Sequence, residues 1–238
     1  MEFQNIKTVL ETVLTSFSTC EGKKGIRKQI LSSLLKMRRV QLLKMIDFSI
    51  DENSLIVDMG CSVGYLTRPL FLRSKTLGLD VDKEKLHWAK KSNRQIEFIC
   101  CDLCYLPLKE SSVSIAVCAS VFEHIENLEY ALKDILFVLK KRGKIAGGYP
   151  IETKLLEFII KSFWKLESHV WDQSNISKNK DRLKNPHVHK RDFSDIRKIL
   201  GKDFLLMNRQ KIPTNWTPDF FSIYENVLLV ENGNKFKY

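Results

Sequence analysis

The residues whose types and spacing could do chemistry lie in the stretch "LIVDMGCSVGYLT", Leu55–Thr67. An apolar run ends on Asp58 and passes into Gly60, Cys61, Ser62 and Gly64 before a helical pattern begins. Glycines at such a turn let the backbone bend tightly and come close to a ligand. The loop lacks the Gly-Lys-Ser/Thr ending that a phosphate-cradling P-loop needs, and its glycines are not spaced G-x-G-x-x-G as a nicotinamide dinucleotide would prefer. A carboxylate immediately before the loop would repel a pyrophosphate but suits a ligand that carries an ammonium group. Two further carboxylates follow in register with later apolar runs. Asp80 ends the second run, about twenty residues on, where a carboxylate accepts hydrogen bonds from ribose hydroxyls, and Asp102 ends the third, where it can accept from an adenine amino group. Asp82 competes with Asp80 but reads as the cap of a helix opening at Lys83. A ligand with an ammonium, a ribose and an adenine but no phosphate is S-adenosyl-L-methionine (SAM).

The elements that must position these groups follow from periodicity. Ser54–Met59, Thr76–Val81, Ile96–Cys101, Val113–Ala119 and Gly143–Tyr149 are short, apolar and bounded by turn residues, which predicts strands. Helical patterns lie between them at Val63–Leu72, Lys83–Lys91 and Leu128–Leu139, the last stopping at "KKRG". This alternation predicts a parallel sheet with helices on both faces. The chain before Asp51 reads as helical. After Pro150 come an amphipathic stretch, a basic polar run to about Arg191, a helix with Ser194 as cap and Gly201 as stop, and two closing strands, "DFLLMNRQ" and "FFSIYENVLLV". The expected organisation is a helical segment over residues 1–50 and one α/β domain over 51–238, with a cap insertion at about 150–191.

At 238 residues, 44% hydrophobic and 28% charged, the chain has the composition of an ordinary globular protein. Ile115–Phe122 and Leu155–Ile160 fall far short of the roughly 20 residues that cross a bilayer. The opening "MEFQNIKTVLETVL" carries Glu2 and Glu11 and reads as an amphipathic helix rather than a signal peptide. The six cysteines read as reduced thiols of a cytoplasmic protein. Cys101 and Cys104 form a lone C-x-x-C without the second pair that structural zinc requires. The formal charge is +11, with basic residues gathered in Gly22–Arg39 and Ser177–Arg191. Such runs serve as solvated faces or meet phosphate groups on RNA, a nucleotide-linked substrate or anionic lipid.

"VDMGCSVGYLT", "LGLDVDKEKLHWAKK", "FICCDLCYLPLKESSVSIAVCASVFEHIEN" and "VLKKRGKIAGGYP" resemble, in order and spacing over about Leu55–Pro150, the successive motifs of class I SAM-dependent methyltransferases. The resemblance implies a Rossmann-like, seven-stranded, mostly parallel sheet whose last strand is antiparallel. It implies that Asp58, Gly60, Cys61, Ser62 and Gly64 hold the methionine part of SAM, and that Asp80 with Val81 meets the ribose. Asp102 with Leu103 would meet the adenine, with Ala119, Ser120 and Val121 beneath the cofactor. Two positions depart from the pattern: Ser62 replaces the middle glycine, and Ser114 stands where the fourth strand usually starts with an acid. Related enzymes hold a metal through E-x-x-E-H on the following turn; Ser120 occupies the first position here, and no metal is predicted.

Methyl transfer from a sulfonium is an in-line displacement, so alignment supplies much of the rate, and a base is needed only where the nucleophile must lose a proton. The candidates are His124, after the fourth strand, and His187 and His189 in "PHVHKRD", each with an equally available structural role. The region after the fifth strand is similar to the cap of small-molecule, glycan and lipid-modifying methyltransferases. Phe158, Phe163, Trp164 and Trp171 would line an apolar acceptor pocket, and the neighbouring lysines allow peripheral contact with an anionic membrane, on its inner face for a cytoplasmic protein. The expected acceptor is therefore small, glycan or amphiphilic, methylated on O or N. Two other readings stay open: an RNA or tRNA methyltransferase, suggested by the charge, and a non-catalytic SAM-binding scaffold. Oligomeric state is not legible.

Overall fold

The computed structural model describes residues 36–47, 49–51, 53–151, 193–212 and 224–231. The aromatic cap stretch, the basic run Gly22–Arg39 apart from residues 36–39, the whole basic run Ser177–Arg191, and His187 and His189 within the latter all lie outside the described residues.

Helix α1 covers residues 36–47. It buries Leu42, Leu43, Met45 and Ile46, an i, i+3, i+4 stripe. Then follow β1 (Leu55–Met59), α2 (Thr67–Phe71), β2 (Lys75–Asp80), α3 (Lys83–Ser92), β3 (Glu97–Cys100), β4 (Val113–Ala119), a 3₁₀ turn (Phe122–His124), α4 (Leu128–Val138), β5 (Leu139–Pro150), α5 (Phe193–Asp203), β6 (Phe204–Ile212) and β7 (Tyr224–Glu231). The seven strands run in the order β3-β2-β1-β4-β5-β7-β6. β1 to β5 pair in parallel and β7 runs antiparallel to both its neighbours, β5 and β6. Strand order reverses between β1 and β4, and in such sheets ligands bind outside the carboxyl ends at this point.

β1 and β4 are apolar except for Asp58 and Ser114, as strands covered on both faces require. Ile56, Ile115, Val117, Ala146 and Leu228 pack under α1 and α2. Val57, Met59, Ala116, Cys118, Ile145 and Val227 pack on the other face with Leu132 and Ile135 of α4 and Ile196 and Leu200 of α5. Burying each of the larger side chains contributes roughly 1.5–3 kcal/mol.

Three expected boundaries move, each for a local reason. The helix read over Val63–Leu72 is regular only from Thr67 to Phe71. Ser62 and Gly64 have φ of 50° and 79°, which a right-handed helix cannot contain. α4 ends at Val138 without the "KKRG" stop, because Leu139 already pairs with Val113 as part of β5. Between that pair and Ile115–Lys144 the ladder advances two residues on β4 and five on β5, so residues 140–143 arch outward. Finally, Ser194 lies inside α5 and Gly201 does not stop it, the helix continuing to Asp203. Nothing lies within 4 Å of where a Gly201 side chain would be, so neither packing nor backbone strain calls for a glycine there.

Elsewhere the local signals hold. Asp82 caps α3 by accepting from Glu84 and Lys85 N–H, and the Lys85 N–H foremost holds its carboxyl below the usual range. Asn127 caps α4 by accepting from Tyr130 N–H at 3.2 Å.

One polar cluster is sealed between the sheet and α5. Glu225 of β7 is 1% exposed. It accepts from Tyr149 Oη at 2.6 Å, from Arg197 Nε at 3.1 Å and from Arg197 Nη2 at 2.5 Å. Removing Arg197 takes the charged partner from the buried Glu225 carboxylate, a loss of about 3 kcal/mol. Arg197→Ala is therefore expected to lower unfolding free energy by about 3 kcal/mol in urea titrations, and Tyr149→Phe by about 1.5 kcal/mol. An Arg197→Ala loss no larger than that of Tyr149→Phe would show that the ion pair contributes nothing.

Candidate functional site

The site is built where β1 and β4 end. β1 delivers Asp58 to the interior, 2% exposed. Its Oδ2 accepts from Thr67 Oγ1 at 2.6 Å, the first helical residue of α2 thus gripping the last polar residue of β1. The chain then turns through Gly60 (φ 73°), Ser62 (φ 50°) and Gly64 (φ 79°). Gly60 and Cys61 N–H both donate to the Leu79 carbonyl, at 2.7 and 2.8 Å, which pins the loop to the end of β2. A side chain on Gly60 would stand 2.5 Å from Val121 Cγ2, so the loop lies directly against the segment after β4. Ser62 holds a left-handed conformation that costs a non-glycine residue about 1–2 kcal/mol. Its N–H donates to Asp80 Oδ2 at 2.7 Å, the contact that keeps it there.

Asp80 does more than point at a ligand. Its second oxygen, Oδ1, accepts from Asp82 N–H at 2.9 Å, so one carboxylate organises both the glycine loop and the start of α3. Each oxygen retains a second acceptor site. Val81 beside it is 71% exposed, an apolar side chain left open to solvent. At the end of β3, Cys101 N–H donates to the Asp80 carbonyl at 3.0 Å. Asp102 is exposed and accepts from Cys104 N–H through Oδ1 at 2.9 Å. Leu103 turns inward and joins the core.

A cavity of about 180 Å³ opens at the loop. Of the residues expected from sequence, Asp58, Gly60, Cys61, Ser62 and Ala119 line it. Gly64, Asp80, Val81, Asp102, Leu103, Ser120 and His124 do not. His124 sits half-buried at the end of the 3₁₀ turn after β4. The remaining lining comes from Arg38, Arg39 and Leu42 of α1 and from Tyr65 and Leu66. Nothing in the sequence near Arg38 signals this role, because its partners lie 82 and more residues away. Arg38 Nη1 donates to Ser120 Oγ at 2.7 Å, and the guanidinium lies 4.5 Å from the centre of the Tyr224 ring. Ser120, itself left-handed at φ 58°, shares a 2.9 Å hydrogen bond with Tyr224 Oη, and its N–H donates to the Gly148 carbonyl. Asn226 Nδ2 donates to the Arg38 carbonyl at 3.1 Å. Arg39 lies 4.3 Å over the Tyr65 ring. The helix is thereby clasped to β4 and β7 with two guanidinium groups at the cavity mouth.

Electrostatics sort the groups. Burial pushes the Asp58 carboxyl up to about 7, the Thr67 hydrogen bond opposing and the Asp80 charge adding to the rise. Burial, reinforced by Asp58 and Asp80, pushes the Cys61 thiol far up, so it stays neutral and is no nucleophile. Burial likewise raises the Tyr224 phenol. The cavity lining therefore holds one buried carboxyl, Asp58, and two guanidinium groups, Arg38 and Arg39. The cavity volume is below the ~300–1,000 Å³ of pockets that enclose a whole drug-sized ligand, and the strand ends at Asp80 and Val81 lie outside its lining.

Residues 57–147 match the family model described as a methyltransferase domain. A Schizosaccharomyces pombe protein described as an uncharacterized methyltransferase is 31% identical over 124 residues, 51% of this chain and 49% of that one. The chain thus spans about half the length of the curated relatives it matches. Among solved structures, a SAM-dependent methyltransferase from Aquifex aeolicus superposes with a TM-score of 0.57 at 14% identity, over 81% of this chain and 89% of that one. Geranyl diphosphate C-methyltransferase from Streptomyces coelicolor, solved with Mg²⁺, geranyl diphosphate and S-adenosyl-L-homocysteine, superposes at 0.61 with 10% identity, over 91% and 88%. The sheet order, the loop after β1 and the carboxylates at the ends of β1 and β2 agree with these matches: residues 57–147 match a methyltransferase domain, and the seven-stranded sheet has the Rossmann-like fold of the solved methyltransferases.

Proposed function

We propose that the protein transfers the methyl group of SAM to a small-molecule, glycan or lipid-linked acceptor, on oxygen or nitrogen. The observation that carries the cofactor assignment is the pairing of a buried, near-neutral Asp58 with a loop held open by Asp80. In this reading Asp58 faces the ammonium of the methionine end, and Arg38 and Arg39 face its carboxylate. Gly60 brings the backbone close without a side chain in the way. Asp80 uses its remaining acceptor sites on the ribose hydroxyls while Val81 and Asp102 flank the adenine. When bound, SAM supplies a methyl group on sulfur that an aligned nucleophile displaces in line.

The protein's own part is alignment and exclusion of water. α1, tied down through Ser120 and Asn226, roofs the methionine end and leaves the acceptor to approach from the side of the 3₁₀ turn that carries His124. For a hydroxyl acceptor, His124, His187 or His189 would take the proton. The acceptor class rests on the sequence of the cap stretch, with Phe158, Phe163, Trp164, Trp171 and the neighbouring lysines. A transferred label separates it from the RNA reading.

Calorimetry with SAM, S-adenosyl-L-homocysteine, NAD and ATP is expected to show binding of the first two alone, weakened about tenfold or more by Asp80→Ala. Methyl-labelled SAM incubated with glycan, lipid and RNA fractions is expected to mark the glycan or lipid fraction. Label confined to RNA would overturn the acceptor assignment but not the cofactor.

Asp58 predicts a pH dependence with a definite sign. Its folded-state value of about 7 lies above the unfolded 3.8, so the ligand-free protein binds more protons when folded. Stability should fall as pH rises from about 4 to about 7, by as much as about 4 kcal/mol, and Asp58→Asn should flatten that slope. An ammonium ligand favours the carboxylate, so S-adenosyl-L-homocysteine should bind more tightly as pH rises through 6–7. About half a proton should leave near pH 7, read from enthalpies in buffers of different ionisation heat. A pH-independent affinity would remove Asp58 from contact with the ammonium.

A further inference from the structure

The sheet carries a second cavity at its opposite end, where β1, β4 and β5 begin. Its volume is about 200 Å³, and it is lined by Ser49, Asp51, Ser54, Ser114 and the consecutive residues Lys140 to Lys144. The five residues of β1 alone separate the two ends by roughly 17 Å, so this cavity is no part of the cofactor site.

The arch of residues 140–143 creates it. Three more residues stand on β5 than the β4 ladder can pair, and Arg142 takes a left-handed φ of 65° at the bend. A glycine would hold that conformation without cost, and an arginine there accepts strain of about 1–2 kcal/mol. Such an outlier is an argument toward function rather than from it. The arch presents Lys140, Lys141, Arg142 and Lys144 together. Lys140 reaches the Asn53 carbonyl at 3.4 Å. Among the described residues, the side chains of Lys141, Arg142 and Lys144 have no hydrogen-bond or ion-pair partner. Ser114 Oγ accepts from Leu55 N–H at 3.2 Å and keeps its own proton to donate, as does Ser49. Asp51 is the one carboxylate in the lining, and its Oδ1 is engaged by Asn53 N–H and Ser54 Oγ.

We infer that this cavity binds a phosphate-bearing anion, most readily a group with two linked phosphates. Three unpartnered cations and two hydroxyl donors around a small polar hollow match several phosphate oxygens at once, and charge-assisted bonds of this kind are the strong ones. The hollow is too small to enclose a whole metabolite, so the phosphate end is what it reads, whether free or on a lipid headgroup.

Titration calorimetry of the full chain with inorganic pyrophosphate, and sedimentation with vesicles containing phosphatidic acid, distinguish the two sources. Saturable binding in either arm is expected. It should weaken about tenfold or more in Lys141→Ala/Arg142→Gly and strengthen in Asp51→Asn, which removes a negative charge while keeping the acceptor. Arg142→Gly also relieves the left-handed bend, so loss of binding cannot be assigned to a misfolded arch. S-adenosyl-L-homocysteine binding, where present, should be unchanged in all three variants, which keeps this test separate from that of the cofactor. Binding in neither arm would overturn the inference. So would an equal loss in Lys109→Ala/Lys198→Ala, which removes the same charge from outside the cavity lining.

Discussion

The carboxylate of Asp80 holds the functional end of this molecule together. One oxygen takes the Ser62 N–H and the other the Asp82 N–H. The first bond keeps a serine in a backbone conformation it would otherwise leave; the second sets the chain direction into α3. Because Gly60 and Cys61 are bonded to Leu79 next door, the loop after β1 is referenced to β2 at three points. Its other side rests on Val121, which the Gly60 backbone touches only because it lacks a side chain. Displacing Asp80 would therefore shift the loop, the cavity wall and the cap of α3 together.

The same end of the sheet concentrates charge in an order that burial imposes. Asp58 is carried inside by a strand whose other residues are apolar, and its carboxyl rises toward neutrality as a result. Asp80, on the neighbouring strand, is buried as well, and two backbone donors hold its carboxylate. α1 answers with Arg38 and Arg39. The acid and the bases are thus held by different elements, a sheet and a helix. Their spacing is set by the clasp of Arg38 on Ser120 and Tyr224 rather than by their own attraction.

The relation to other methyltransferase folds is one of architecture. The parallel strands, the reversal of order between β1 and β4 and the antiparallel β7 recur in solved structures of 10–14% identity. At such identity the likeness is one of fold, and function has to be argued from the site. The arch in β5 leaves the pairing of Ala116–Ile145 and Val117–Ala146 in place and changes only what the strand start presents.

What the sequence by itself determined was local. Apolar runs bounded by turn residues located all seven strands, and β4 to the residue, the central parallel one being covered on both faces. The loop Asp58–Gly64, the carboxylate at Asp80 and the cap at Asp82 were legible for the same reason: each acts within a few residues of its partner or at the end of a recognisable run. What the tertiary structure alone decided was long-range. Arg38 meets Ser120, and Tyr149 and Arg197 meet Glu225, across separations no periodicity reports. The helix read at Val63 was shortened by the left-handed backbone of Ser62 and Gly64. "KKRG", which carries the local marks of a helix end, became an arch because Leu139 found a strand partner in Val113 first. Local propensity chooses the elements; pairing across the sheet decides where they stop and what they face.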